Sequence, residues 1–219
     1  MKHRGLFLAV SLAAAAGLSS CKSLYYSTLE TFGTEKRDIL VDRIEDTRDD
    51  QTATKEEFQT ALEKFKTVAN VEGGELEAKY DELNSAYESA AARAQQVRED
   101  IEAVEEVADD LFSEWSGEID EIGNADMRAS SEKMLSDTKE RYERLVGLMK
   151  KAEEKIEPVL GAFKDQVLVL KHNLNAKAIA SLQGNLEAIE TDVQALVRDM
   201  EKSIQEANAF MATMESNPS

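Results

Sequence analysis

Between Leu76 and Ile122 an apolar position recurs at alternating spacings of four and three residues. The series is Leu76, Tyr80, Leu83, Tyr87, Ala90, Ala94, Val97, Ile101, Val104, Ala108, Leu111, Trp115, Glu118, Ile122, and Glu118 alone interrupts it. Such spacing places every member on one stripe of an α-helix. At 1.5 Å per residue the helix is about 70 Å long. A stripe of that length, with charge on the other faces, is not stable alone in water and needs helices of similar length to cover it. The expected fold class is therefore all-α, an elongated antiparallel four-helix bundle or coiled coil.

The rest of the chain reads the same way. A first helix over residues 24–69 begins its stripe with Leu29, Phe32, Ile39 and Ile44 and finishes it with Phe58, Ala61, Leu62, Phe65 and Val68. Between these sets the seam positions are Thr47, Gln51 and Thr54. A polar middle weakens a coiled-coil core locally and can set its register. The stretch reads as a wet or splayed segment, with a polar pocket inside the bundle as the other reading. Leu24, Tyr25 and Tyr26 either begin this helix core or sit at lipid headgroup level.

The Gly73-Gly74 pair makes a turn, and the second helix follows over residues 75–122. Gly123 stops it, with Asn124 or Asp126 as the next N-cap. A third helix over residues 125–172 carries Leu135, Thr138, Tyr142, Leu145, Met149, Ala152 and Ile156. Pro158 removes a helix-interior hydrogen bond, yet the stripe continues in phase through Val159, Phe163, Val167, Leu170 and Leu174. Continuation in phase favours a kink, with the third turn at Asn173 to Asn175. Placing that turn at Pro158 is the alternative. The last helix, residues 175–214, bears Leu182, Leu186, Ile189, Val193, Leu196, Met200, Ile204, Ala207, Met211 and Met214.

The first twenty residues read as an address. Met1-Lys2-His3-Arg4 is basic, and Leu6 to Leu18 is an apolar run of about thirteen residues, short for a membrane span and suited to a secretory signal. It ends in Leu18-Ser19-Ser20-Cys21, which resembles the bacterial lipobox. By that resemblance residues 1–20 are a lipoprotein signal peptide, and Cys21 becomes the lipidated N-terminus of a single helical domain spanning 21–219. Acyl chains anchor stably, at about 0.8 kcal/mol per buried CH₂. Lys22 stands where an Asp would resemble the inner-membrane retention signal, so in a Gram-negative host the expected location is the outer membrane, with the body facing the periplasm and exposure on the cell surface as the alternative.

Charge and composition narrow the function classes. Lys and Arg number 26 against 44 acids, a net charge of −18. Such a surface repels phosphate backbones, so nucleic acid is not an expected partner. Cys21 is the sole cysteine, which rules out an intramolecular disulfide and a thiolate metal cluster. Beyond the signal the only histidine is His172, too few for the common zinc sites or for the paired Glu-x-x-His of di-iron bundles. No Gly-x-Ser-x-Gly and no phosphate-binding glycine loop occurs. Lys171-His172-Asn173 is a polar cluster beside an apolar run and reads as a helix-end cap. No cofactor is expected.

Four segments carry a wider resemblance: Lys36 to Arg43, Leu111 to Trp115, Pro158 to Leu160, and Val167 to Ala176. Together they resemble a family of uncharacterised Gram-negative lipoproteins, over nearly the whole chain from Tyr25 to Phe210. The resemblance implies an envelope location and a single domain, and brings no catalytic residue. The expected function is a non-enzymatic spacer or adaptor, held to a membrane through its N-terminal lipid, with an envelope protein or a second copy as partner. The alternative is a carrier or sensor of a small apolar or lipidic ligand.

Overall fold

The computed structural model describes residues 36–69, 76–173 and 176–216. Among them are five α-helices: α1 (Lys36–Ala69), α2 (Leu76–Glu121), α3 (Ala125–Glu153), α4 (Ile156–His172) and α5 (Ala176–Ser216). The expected lipidation site Cys21, the first twelve residues of the expected first helix, the Gly73-Gly74 turn and Leu174-Asn175 lie outside the described residues.

Side-chain pairs fix the directions. Lys36 Nζ lies 2.8 Å from Glu114 Oε2, joining the start of α1 to the far part of α2. Gln183 Nε2 donates to the Ala69 carbonyl at 2.6 Å, joining the end of α1 to the early part of α5. Arg98 Nε donates to Glu153 Oε1 at 2.8 Å between α2 and α3. Neighbouring arms are therefore antiparallel. Helices α3 and α4 each pack against α2 and α5 and meet one another only end to end, so they form one interrupted arm. The architecture is an all-α bundle of four long arms.

The interruption falls at Glu154 and Lys155, before Pro158 rather than at it. The proline has no N–H for the carbonyl of Glu154 four residues back, and its ring crowds that carbonyl. The chain responds with a tightened turn, in which Lys155 N donates to Ala152 O at 3.2 Å while Glu154 N still reaches Lys150 O at 2.8 Å. Pro158 then occupies the first turn of α4, where a missing N–H is harmless.

A continuous core runs along the axis. Arms α1 and α4 meet across it through phenylalanines. Phe65 stacks on Phe163 with ring centroids 4.5 Å apart, and Phe58 follows at 6.1 Å. All three are fully buried.

On α2 the buried positions drift from the expected stripe. Leu83, Ala90, Ala94, Val97, Ile101, Val104 and Ala108 are buried as read, but beyond them burial passes to Phe112 and Ile119 instead of Leu111, Trp115 and Ile122. A four–three repeat averages 3.5 residues per turn, whereas a straight helix has 3.6 and falls about 20° short of two full turns each heptad, so over several heptads the buried position passes to the next residue. At the α2–α3 connection the structure chooses Asn124 of the two expected N-caps, and the stop at Gly123 needs no special backbone. Gly123 is not in the left-handed region and has open space around it. Asn124 is the N-cap of α3, its Oδ1 accepting from Asp126 N and Met127 N at 3.0 Å each. The Arg128 guanidinium donates to the Ile122 carbonyl at 2.6 and 3.0 Å, satisfying an acceptor that the end of α2 leaves open.

Candidate functional site in the polar middle of the bundle

The seam residues Thr47, Gln51 and Thr54 are fully buried. This corrects the reading of a wet or splayed segment: the arms close over all three. Thr47 satisfies itself, its Oγ1 donating to the Arg43 carbonyl one turn back at 2.7 Å. Gln51 and Thr54 do not. Neither amide atom of Gln51 nor Thr54 Oγ1 has a hydrogen-bond partner among the described residues. The same holds for Ser203 Oγ on α5, also fully buried.

The register brings these groups to one level. Arg48 Nη1 donates to Asn208 Oδ1 at 3.2 Å, and Lys55 lies 3.6 Å from Glu201, so Gln51 and Thr54 fall opposite the turn that holds Ser203. A buried polar group left unpaired costs about 1–3 kcal/mol. This polar layer is the strongest internal feature of the described molecule. Ser203 was missed because the α5 stripe could pass through Ser203 or Ile204, and the apolar neighbour was the natural choice. In the structure Ile204 is partly exposed and Ser203 is inside.

Beside this level, at the α3–α4 break, a buried aspartate gathers three lysines. Asp199 is 5% exposed. Lys155 is bonded to its Oδ2, Lys202 lies 3.2 Å from its Oδ1 and Lys151 3.8 Å from the same oxygen. The Lys155 hydrogen bond holds the Asp199 carboxyl below the usual range against the opposing effect of burial, with Lys202 and Lys151 adding to it. Lys151 comes from the last turn of α3, Lys155 from the break itself and Asp199 from α5, so the group ties the break to the neighbouring arm.

Across the bundle the electrostatics reverse. Burial pushes the Asp100 carboxyl up to about 6, and a shared hydrogen bond with Asp50, together with the charges of Asp50 and Asp46, adds to the effect. The Asp100–Asp50 contact joins α2 to α1.

His172 lies exposed at the end of α4 with Lys171 and Asn173. Asn173 N donates to the Val169 and Leu170 carbonyls at 3.1 and 3.3 Å, the geometry of a helix end. Nothing brings Asp199, Asp100 or the polar layer to His172. Trp115 is half-buried, with Nε1 3.4 Å from Ser131 Oγ. Surface clefts of about 490 and 570 Å³ lie between α2 and α3, each lined in part by acids. Among the described residues no cluster of three His, Cys, Asp or Glu side chains is placed to hold a metal ion. No described helix is long and apolar enough to cross a membrane.

No curated protein matches the chain, and no solved structure does. A family model described as a protein of unknown function, DUF2959, matches residues 25–214. That span takes in all four arms and the polar layer between them, and the chain belongs to the DUF2959 family.

Proposed function

We propose that this protein is a lipid-anchored, non-enzymatic spacer or adaptor of the Gram-negative cell envelope. Cys21 carries the lipid, the outer membrane holds it, and the helical body stands in the periplasm, presenting its faces to an envelope protein. The observation that carries this reading is the length of the closed body. Helix α2 alone has 46 residues, about 70 Å at 1.5 Å per residue. A rod of that length beside an anchor sets a distance from the membrane. Its acidic exterior keeps the body off an anionic lipid surface. Crosslinking in intact envelopes, followed by pull-down on the full chain, tests this. One reproducible envelope partner is expected. Repeated recovery of no partner, or a hydrolase activity lost in His172→Ala, would overturn it.

One observation favours a second reading, a carrier of a small apolar or lipidic ligand. Gln51, Thr54 and Ser203 are buried polar groups lacking partners in an otherwise apolar interior, and a bound ligand could supply those partners. Native mass spectrometry of the extracted protein separates the readings. A carrier retains a ligand mass that Gln51→Leu abolishes, and a spacer shows the protein mass alone.

A further inference from the structure

The polar layer divides the core in two. On one side Phe58, Phe65 and Phe163 fill the bundle, and on the other Leu40, Ile44 and Leu145 do, all fully buried. Between these blocks three of the four arms are weakened at one height. On α1, Gln51 and Thr54 bring three buried polar atoms that have no partner among the described residues. Two threonines of the same stretch bond back to their own helix, Thr47 to the Arg43 carbonyl and Thr52 to the Arg48 carbonyl. Such back-bonding slightly destabilises a helix and often bends it. On α5, Ser203 Oγ is buried and unpartnered. The third arm is interrupted there, since α3 ends at Glu153 and α4 starts at Ile156, with no side-chain cap bond from Lys155.

Helix α2 is the exception. It passes this height without a break. Arg93 reaches Asp50 of α1 at 3.4 Å and Arg98 reaches Glu153 of α3 at 2.8 Å, which fixes the height on α2. There it presents Ala94, Val97 and Ile101, all buried.

Polar groups buried without partners regain hydrogen bonds to water when the arms part. The bundle therefore parts at this layer at lower cost than through either apolar block. Fixing the register would be served as well by groups that bond one another, and these do not. One cluster resists the parting. Asp199 of α5 holds Lys151 of α3 and Lys155 of the break, and so clamps the interrupted arm to its neighbour.

We propose that the polar layer is a joint. The two apolar blocks close separately, α2 is the spine that keeps them together, and the other arms part at Gln51, Thr54 and Ser203 within the limit set by the Asp199 cluster. The joint depends on neither lipid nor partner. Joined to the spacer reading, it lets the rod bend near the middle of α2 and so changes the distance the body spans.

Hydrogen–deuterium exchange on the full chain, read by mass spectrometry, tests this. The middle of a long helix is ordinarily its best-protected part, because helices fray from their ends. Here the middle of α1, residues 48–55, is expected to exchange at least about tenfold faster than residues 58–65, and residues 199–206 of α5 faster than residues 189–196. Residues 94–101 of α2 should stay protected. Two variants should move the layer in opposite directions. Gln51→Leu with Thr54→Val and Ser203→Ala dries the layer and should slow its exchange to the rate of the phenylalanine block. Asp199→Asn releases the clamp and should speed it further. If the triple variant fails to fold, Gln51→Leu alone decides, and should slow the layer by a smaller factor. A wild-type layer as well protected as residues 58–65 would overturn the proposal. So would slowing spread evenly over the whole chain, which reports global stability alone, or a layer that Gln51→Leu loosens, which reports a bound water or ligand in place of a joint.

Discussion

Asp100 and Asp199 answer pH with opposite signs. Asp100 is shifted up to about 6 by burial and by Asp50. A carboxyl raised on folding favours the native state only while protonated. Its contribution is complete below the ordinary carboxylate range and is lost as pH rises through about 4 to 6. Asp100→Asn removes that loss. Partial solvent access screens the effect, so the expected gain is on the order of 1 kcal/mol near pH 7.5, vanishing near pH 4. Thermal melts at the two pH values check it. Asp199 is shifted down by Lys155 and its companions. Its contribution is present above the ordinary carboxylate range and is lost as pH falls below it. Asp199→Asn is expected to cost about 1–2 kcal/mol at neutral pH. Denaturant melts of variant and wild type should converge as pH approaches 3. Gln51→Leu keeps the shape of a buried side chain and removes two polar atoms without partners, so it should raise stability by about 1 kcal/mol. A fall in denaturant midpoint would mean that the amide is satisfied in solution by water or a ligand.

At the scale of the helices, stability is held back by glycine. Gly117, Gly147 and Gly184 lie inside α2, α3 and α5, and an added Cβ meets no atom within 4 Å at any of them. Each glycine-to-alanine change should stabilise its helix by about 0.5–1 kcal/mol. The triple variant should melt roughly 3–12 °C higher, as calorimetry can measure. The long stripes made the all-α class legible from sequence, because periodicity over many turns admits few alternatives. What escaped were one-position choices. The drift of α2 from Leu111 and Trp115 to Phe112 and Ile119 depends on the difference between 3.5 and 3.6 residues per turn, which matters only after several heptads. The α3–α4 break at Glu154 rather than Pro158 follows from the proline acting on the carbonyl four residues earlier. Thr47, Gln51 and Thr54 were singled out by their place in the seam, but whether they lie open or closed depends on arms distant in sequence. Ser203 and Asp199 are unremarkable until α1, α3 and α5 are brought together.

For the whole molecule, the arms cover one another along most of their length. The phenylalanines cross the bundle from α1 to α4, while the cross-arm pairs Lys66–Glu190, Lys36–Glu114 and Arg98–Glu153 tie its rim. Such rim pairs add little stability each. The net charge is −18, and like charge on an exterior opposes association of identical copies. The central requirement of this architecture is that a single chain closes its own core. The direct measurement is mass by light scattering together with small-angle X-ray scattering on residues 22–219. A monomer whose longest dimension is about 70–80 Å is expected, as the length of α2 requires. A dimer, or a markedly longer rod, would show that the stripes are satisfied between chains and would contradict it.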